Sequence, residues 1–258
     1  MSRVPLSVCL ITFNEEAALA ACLDSVSRIA DEIVVVDSGS SDRTLEIAKA
    51  RNATIHRHAF DGFGAQKQRA VDLAKNDWIL FLDADERLSD ALSETLGTLS
   101  KDPGTLERFS AYRIPRINHF MGKPIRHGGW DNDELVRLFD RRKASFDTKI
   151  VHEEVIAPGP TGRLDAPIIH EPARSPEEFI RKNLRYARMK SRSRNALPFP
   201  IGVLAMIAAP PAVVFRMYVL RLGFLDGFEG FLLANLYGFF AFMKAYYRIK
   251  TTERAERS

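Results

Sequence analysis

Two carboxylates separated by one residue, Asp83 and Asp85, close the apolar run Trp78-Ile79-Leu80-Phe81-Leu82. Carboxylate oxygens suit Mg2+ or Mn2+, and a cation held by them can neutralise a leaving diphosphate. The spacing alone says little, but the position says more: an acidic pair at the end of a buried central strand is costly unless something pairs with it. Other polar residues fall at equivalent places, Thr12, Asn14 and Glu15 after one apolar run and Asp37 and Ser38 at the end of the next. In open α/β sheets ligands bind beyond the carboxyl ends of the strands, where such residues converge. Lys67 reads either as a point charge for nucleotide or phosphate or as a solvated lysine. Trp130, after Gly128-Gly129, reads as a platform for a sugar ring or as ordinary core. Arg137, Arg141 and Arg142 are surface charges that could meet acceptor phosphates.

The elements that must position these residues follow from periodicity. Leu6 to Thr12 and Glu32 to Asp37 read as buried strands, Ala53 to Arg57 as a third, and Asp77 to Asp83 as a near-continuous apolar strand covered on both faces. Helical spacing of Leu19, Leu23 and Val26, then of Leu45, Ile47 and Ala48, then of Ala65 to Ala74, separates them. Four strand-helix units predict an open, doubly wound α/β sheet over residues 1–100. After Asp102-Pro103-Gly104 short strands are expected at Ala111 to Ile114, Glu134 to Phe139 and Ile150 to Ile156. Residues 101–173 are expected to extend the sheet on the acceptor side, and 174–258 to form a helical region.

Composition narrows the class. With 258 residues, 46% apolar and 27% charged, the chain suits one catalytic domain with an appendage. Cys9 and Cys22 lie in apolar runs and read as core residues in a reducing compartment. The N-terminus enters a strand without the features of a signal peptide. The net charge of +4 is local, since Arg174 to Asn195 holds eight Lys/Arg against two Glu. That stretch has only Phe179 and Tyr186 as aromatics, which disfavours nucleic acid as a partner. Ala196 to Phe215 and Gly230 to Met243 carry no charge, and Pro198, Pro200, Pro210 and Pro211 are expected to interrupt the first run. In-plane insertion into an anionic membrane surface is the expectation; packing on the α/β core or a homodimer interface is the alternative.

Val8 to Glu16, Val34 to Thr44 and Asp77 to Glu86 resemble, in order, three signature segments of family 2 inverting glycosyltransferases of the GT-A fold. Gly129-Trp130, Arg137-Leu138-Phe139, Val151-His152-Glu153 and Gly223-Phe224-Leu225-Asp226-Gly227 resemble the subgroup that builds the lipopolysaccharide core. The resemblance implies a hexosyl- or heptosyltransferase that takes a nucleotide-sugar donor and a lipid-linked saccharide acceptor at the cytoplasmic face of the inner membrane. It implies that Thr12, Asn14, Glu15 and Asp37 contact the nucleotide, with Asp83 near ribose or diphosphate and Asp85 the principal metal ligand. Inversion needs a base for the acceptor hydroxyl, and both Asp133 and Glu153 qualify. His152 could complete the metal shell. A sugar nucleotidyltransferase would instead carry a glycine-rich basic loop where Thr12-Phe13-Asn14-Glu15-Glu16 stands, and a non-catalytic membrane adaptor would leave the strand-end residues without a use.

Overall fold

A computed structural model describes residues 3–131, 133–147, 154–192 and 197–255. The chain divides into two compact units, Met1–Arg116 with Asp133–His170, and Ile117–Asn132 with Glu171–Ser258. Residues 117–132 group with the C-terminal helices in this division.

In the first unit strands and helices alternate as β1 (Leu6–Thr12), α1 (Leu19–Val26), β2 (Glu32–Asp37), α2 (Thr44–Lys49), β3 (Thr54–Arg57), α3 (Phe63–Asp72) and β4 (Trp78–Phe81). There follow β5 (Glu86–Leu88), α4 (Asp90–Leu99), α5 (Pro103–Leu106) and β6 (Ala111–Phe120), whose last residues pass into the second unit and pair with β7 (Lys123–Pro124). The first unit resumes with β8 (Asp133–Asp140), β9 (Ser145–Phe146), β10 (Val155–Ile156), β11 (Gly162–Arg163) and β12 (Ile168–His170).

The strand order is β3-β2-β1-β4-β8-β6-β12-β5. The first four strands are mutually parallel, and β11 pairs parallel with β6 off this path; β8 runs antiparallel to both β4 and β6, and β12 antiparallel to β5. Alternation of side chains explains why the central strands read as unbroken apolar runs. Val8, Leu10, Val35 and Leu80 point to the face covered by Leu19 and Leu23 of α1 and Leu92 and Leu96 of α4. Cys9, Val34, Val36, Ile79 and Phe81 point to the face covered by Ala70 and Val71 of α3. Cys9 and Cys22 are both free and buried, as expected of core residues.

The second unit is built on α6 (Pro176–Arg192), α7 (Phe199–Phe215) and α8 (Gly227–Ala255). The prolines do not interrupt α7: Pro200 sits in its first turn, where no N–H is needed, and Pro210 and Pro211 lie inside the helix. A π-helical turn at Arg216–Leu220 carries it on, so Phe199–Leu220 is one apolar rod of 22 residues, long and apolar enough to cross a membrane and largely unburied. The corner from α7 to α8 depends on close backbone approach, since a Cβ on Gly230 would stand 2.0 Å from the Gly223 carbonyl oxygen and one on Gly223 2.7 Å from that of Met217. Asp226 ties the corner to the loop after β7 by accepting the backbone N–H groups of Arg126 and His127. Phe120, Trp130, Phe179, Tyr237 and Phe240 form an aromatic core of edge-to-face and tilted ring pairs.

Candidate active site

The carboxyl ends of β1 and β2 meet as one interlocked pair of loops. Asp37, fully buried at the end of β2, accepts the Gly39 and Ser40 backbone N–H groups on Oδ1 and the Thr12 and Ser40 hydroxyls on Oδ2. Asn14 takes a left-handed conformation, φ 56°, which lets its backbone N–H donate to Ser40 while its side-chain oxygen accepts the Ser41 N–H. The Glu15 N–H donates to the Thr44 hydroxyl, and Gln66 of α3 donates to Ser38. Thr12, Asn14, Glu15, Asp37 and Ser38 are therefore brought together, and Thr12 and Asp37 spend their side chains on the shape of the loops.

At the end of β4 the acidic pair splits into two environments. Asp83 Oδ1 lies 3.0 Å from Lys67 Nζ, and Oδ2 lies 2.6 Å from Arg137 Nη2. Burial would raise the Asp83 carboxyl, but Arg137 and Lys67 beside it hold it well below the usual carboxylate range. Lys67 is buried, its ammonium 5.3 Å from the Phe81 ring centroid, which removes the solvated reading. Arg137 is likewise buried, so its expectation as a surface charge is corrected: β8 delivers it inward, where Asp83 and Glu86 outweigh the desolvation that opposes its charge. Asp85 is also sheltered, with His170 Nε2 3.6 Å from its Oδ1 and side-chain exposures of 12% and 16%.

Two residues to which sequence reading assigned no role complete the arrangement. Glu86, in the first position of β5, accepts the Asp83 backbone N–H on Oε2 and both Arg137 and Arg116 on Oε1. Arg116, in β6, also donates from Nε and Nη2 to Asp133 Oδ2, at 2.8 and 2.6 Å. Asp133 stands at the start of β8, the antiparallel neighbour of β4, so one strand pair carries Asp133 and leads into Asp83. A buried glutamate directly after an acidic pair was the one available signal; an arginine within an ordinary strand offers none.

The model of glycosyl transferase family 2 matches residues 7–155. The chain belongs to that family. The first unit is accordingly the mixed α/β sheet of the GT-A fold, followed by a helical C-terminal region. Among relatives of this family 2 chain, the lipopolysaccharide core biosynthesis glycosyltransferase LpsC of Rhizobium meliloti is 28% identical over 251 residues, covering 94% of this chain and 91% of that one. A glycosyltransferase of Rickettsia typhi is 26% identical over 248 residues, covering 93% and 85%. A solved structure of glucosyl-3-phosphoglycerate synthase from Mycobacterium tuberculosis with Mn2+, UDP and phosphoglyceric acid matches at TM-score 0.36 and 25% identity, over 46% of this chain and 44% of that one. The chain thus spans less than half the length of the solved structure it matches.

His152 and Glu153 lie outside the described residues. Trp130 belongs to the second unit, half-buried, its indole N–H donating to the Tyr237 hydroxyl. Among the described residues, no group of three His, Cys, Asp or Glu side chains is arranged to hold a metal ion. Both oxygens of Asp83 face cations, which disfavours it as a direct ligand. Asp85 lies apart from that clamp, beside His170, and a site with one or two protein carboxylates suits an ion that takes its remaining ligands from phosphate and water.

Proposed function

We propose that this family 2 enzyme is an inverting hexosyl- or heptosyltransferase that moves a sugar from a nucleotide-sugar donor to a lipid-linked saccharide, in lipopolysaccharide core or other surface-glycan assembly. The observation that carries this reading is the strand pair β4–β8, which sets the clamped Asp83 beside the strand that begins with Asp133. The loops at Thr12 to Glu15 and at Asp37 and Ser38 cradle the nucleotide, and Asp85 would hold Mg2+ or Mn2+, with His152 as a further ligand. A cation held there would neutralise the charge of the leaving diphosphate. Asp133 or Glu153 takes the proton of the acceptor hydroxyl as that oxygen attacks the anomeric carbon from the face opposite the diphosphate. Lys67 and Arg137 keep Asp83 ionised and fixed, so its orientation does not change as charge moves.

The second unit supports peripheral attachment to the cytoplasmic face of the inner membrane. Phe199, Ile201, Leu204 and Ile207 of α7 and Phe224 and Leu225 of the corner are exposed, and α6 presents Arg181, Arg185 and Arg188 to solvent. Polar structure flanks both ends of the rod: the Leu197 N–H bonds to Arg248, and Arg221 accepts the Gly128 N–H. That favours a helix lying in the bilayer plane over a spanning one. The deciding experiment screens UDP-, GDP- and ADP-linked sugars for divalent-metal-dependent binding to the purified full chain. A single donor bound only with metal supports the reading; donor-independent binding of none, with or without metal, defeats it.

A further inference from the structure

Lys67, Asp83, Arg137, Glu86, Arg116 and Asp133 form one row of alternating charge, in which each inner member is shared by its two neighbours. Glu86 is the centre. Its side chain is 0% exposed, and its carboxylate accepts Arg137 Nη2 at 2.6 Å, Arg116 Nη1 at 2.8 Å and the Asp83 backbone N–H at 3.0 Å. Stability alone does not call for such a device, since a buried ion pair contributes no more than well-packed apolar residues of the same volume. What the row supplies is geometry. A guanidinium is a rigid planar fork, so two of them fixed on one immobile carboxylate leave their outer partners little freedom.

We propose that Glu86 is a positioning residue that fixes Asp133 and Asp83 relative to one another through Arg116 and Arg137, so that base and donor-side carboxylate hold one spacing during transfer. The proposal rests on the reading of Asp133 as the base. Misplacement of a reacting group by about 1 Å costs on the order of a hundredfold in rate, which makes such a brace worth its desolvation. Arg116 is the element on which the coupling depends, because one guanidinium bonds both Glu86 and Asp133.

Two measurements on the full chain test this. In urea unfolding, Glu86→Gln and Asp133→Asn are expected to be non-additive, the double variant losing less than the two singles together, and to become additive in an Arg116→Gln background. Additivity from the outset overturns the coupling. The second measurement follows nucleotide release from a mixture of UDP-glucose, UDP-galactose, GDP-mannose and ADP-heptose, with Mn2+ and lipopolysaccharide truncated to its inner core. Glu86→Gln is expected to lower kcat at least about tenfold while donor KM stays within about threefold, and Arg116→Lys, which keeps the charge but loses the fork, to stay slow. Wild-type kcat in Glu86→Gln overturns the positioning role. A fully active Asp133→Asn alongside a non-additive unfolding cycle would instead reject Asp133 as base and leave the brace standing.

Discussion

Arg137 Nη2 lies 2.6 Å from Asp83 Oδ2, on a side chain only 5% exposed. Removing that guanidinium leaves two carboxylates, Asp83 and Glu86, short of a partner where desolvation is costly. Arg137→Ala should therefore destabilise the full chain by about 3–5 kcal/mol in urea unfolding. A loss below about 1 kcal/mol would mean that water reaches the pair. The same pairing sets a pH dependence. Because the Asp83 carboxyl is depressed in the folded chain, the stability it contributes is complete above the unfolded aspartate value of about 3.9 and is lost as pH falls towards its lower folded value. Wild type should therefore lose more stability between pH 5 and strong acid than Arg137→Ala does.

Asp85 is sheltered beside His170, so the metal question is better put with an isosteric change than with alanine. Asp85→Asn should keep the unfolding midpoint near wild type and abolish most Mn2+-dependent binding of the donor, read by titration calorimetry. Transfer at the wild-type rate by this variant, or by wild type in excess chelator, would remove the cation from the mechanism.

For the base, Asp133→Asn and Glu153→Gln should separate. The variant that binds donor normally but turns over at least about a hundredfold more slowly identifies the proton acceptor. Two active variants would reject both assignments.

Burial pushes the thiols of Cys9 and Cys22 up, so neither is a thiolate at mild alkalinity. Native protein at pH 8 should release no colour with a disulfide reagent over minutes, and both thiols should react in denaturant. Rapid reaction of one thiol in the native chain would show that its side of the sheet opens.

Attachment to membranes is best tested by point substitution, because truncation after Pro172 would strip Phe179 from the buried Phe120 ring, 5.2 Å away between centroids. The full chain should sediment with anionic vesicles, and high salt should weaken this without abolishing it, since basic residues near the surface contribute about 1 kcal/mol each. Phe224→Asp with Leu225→Asp should reduce the bound fraction several-fold. Salt-insensitive binding would indicate a spanning rod, and no binding by wild type would return α7 to ordinary packing or a dimer interface.

The parallel half of the sheet was legible in the sequence because its strands are covered on both faces, so Val8 to Leu10, Val34 to Val36 and Ile79 to Phe81 leave unbroken apolar runs. The polar residues at their ends were legible for the same reason, as interruptions where burial makes polarity expensive. Arg116, Glu86 and the inward turn of Arg137 were not, because an ion pair across strands leaves no periodic trace. The prolines of α7 misled: their cost was weighed as for an isolated helix, whereas the structure runs helix through Pro210 and Pro211 beside α8, whose Gly238 lets the two backbones approach. The transfer of 117–132 to the helical unit turns on rings from distant segments, Phe120 and Trp130 against Phe179 and Tyr237, and no local pattern encodes that meeting.

The crossing of backbones at Gly223 and Gly230 has an evolutionary corollary. Any side chain at either position would collide with a carbonyl oxygen, so these two sites are closed to drift. Phe224 and Leu225, between them, are 46% and 57% exposed and bear no such restriction. The corner thus separates a sterically closed hinge-pin from exposed tips, and descendants of this chain could adapt to surfaces of different composition by changing the tips alone, without disturbing the path of the chain beneath them.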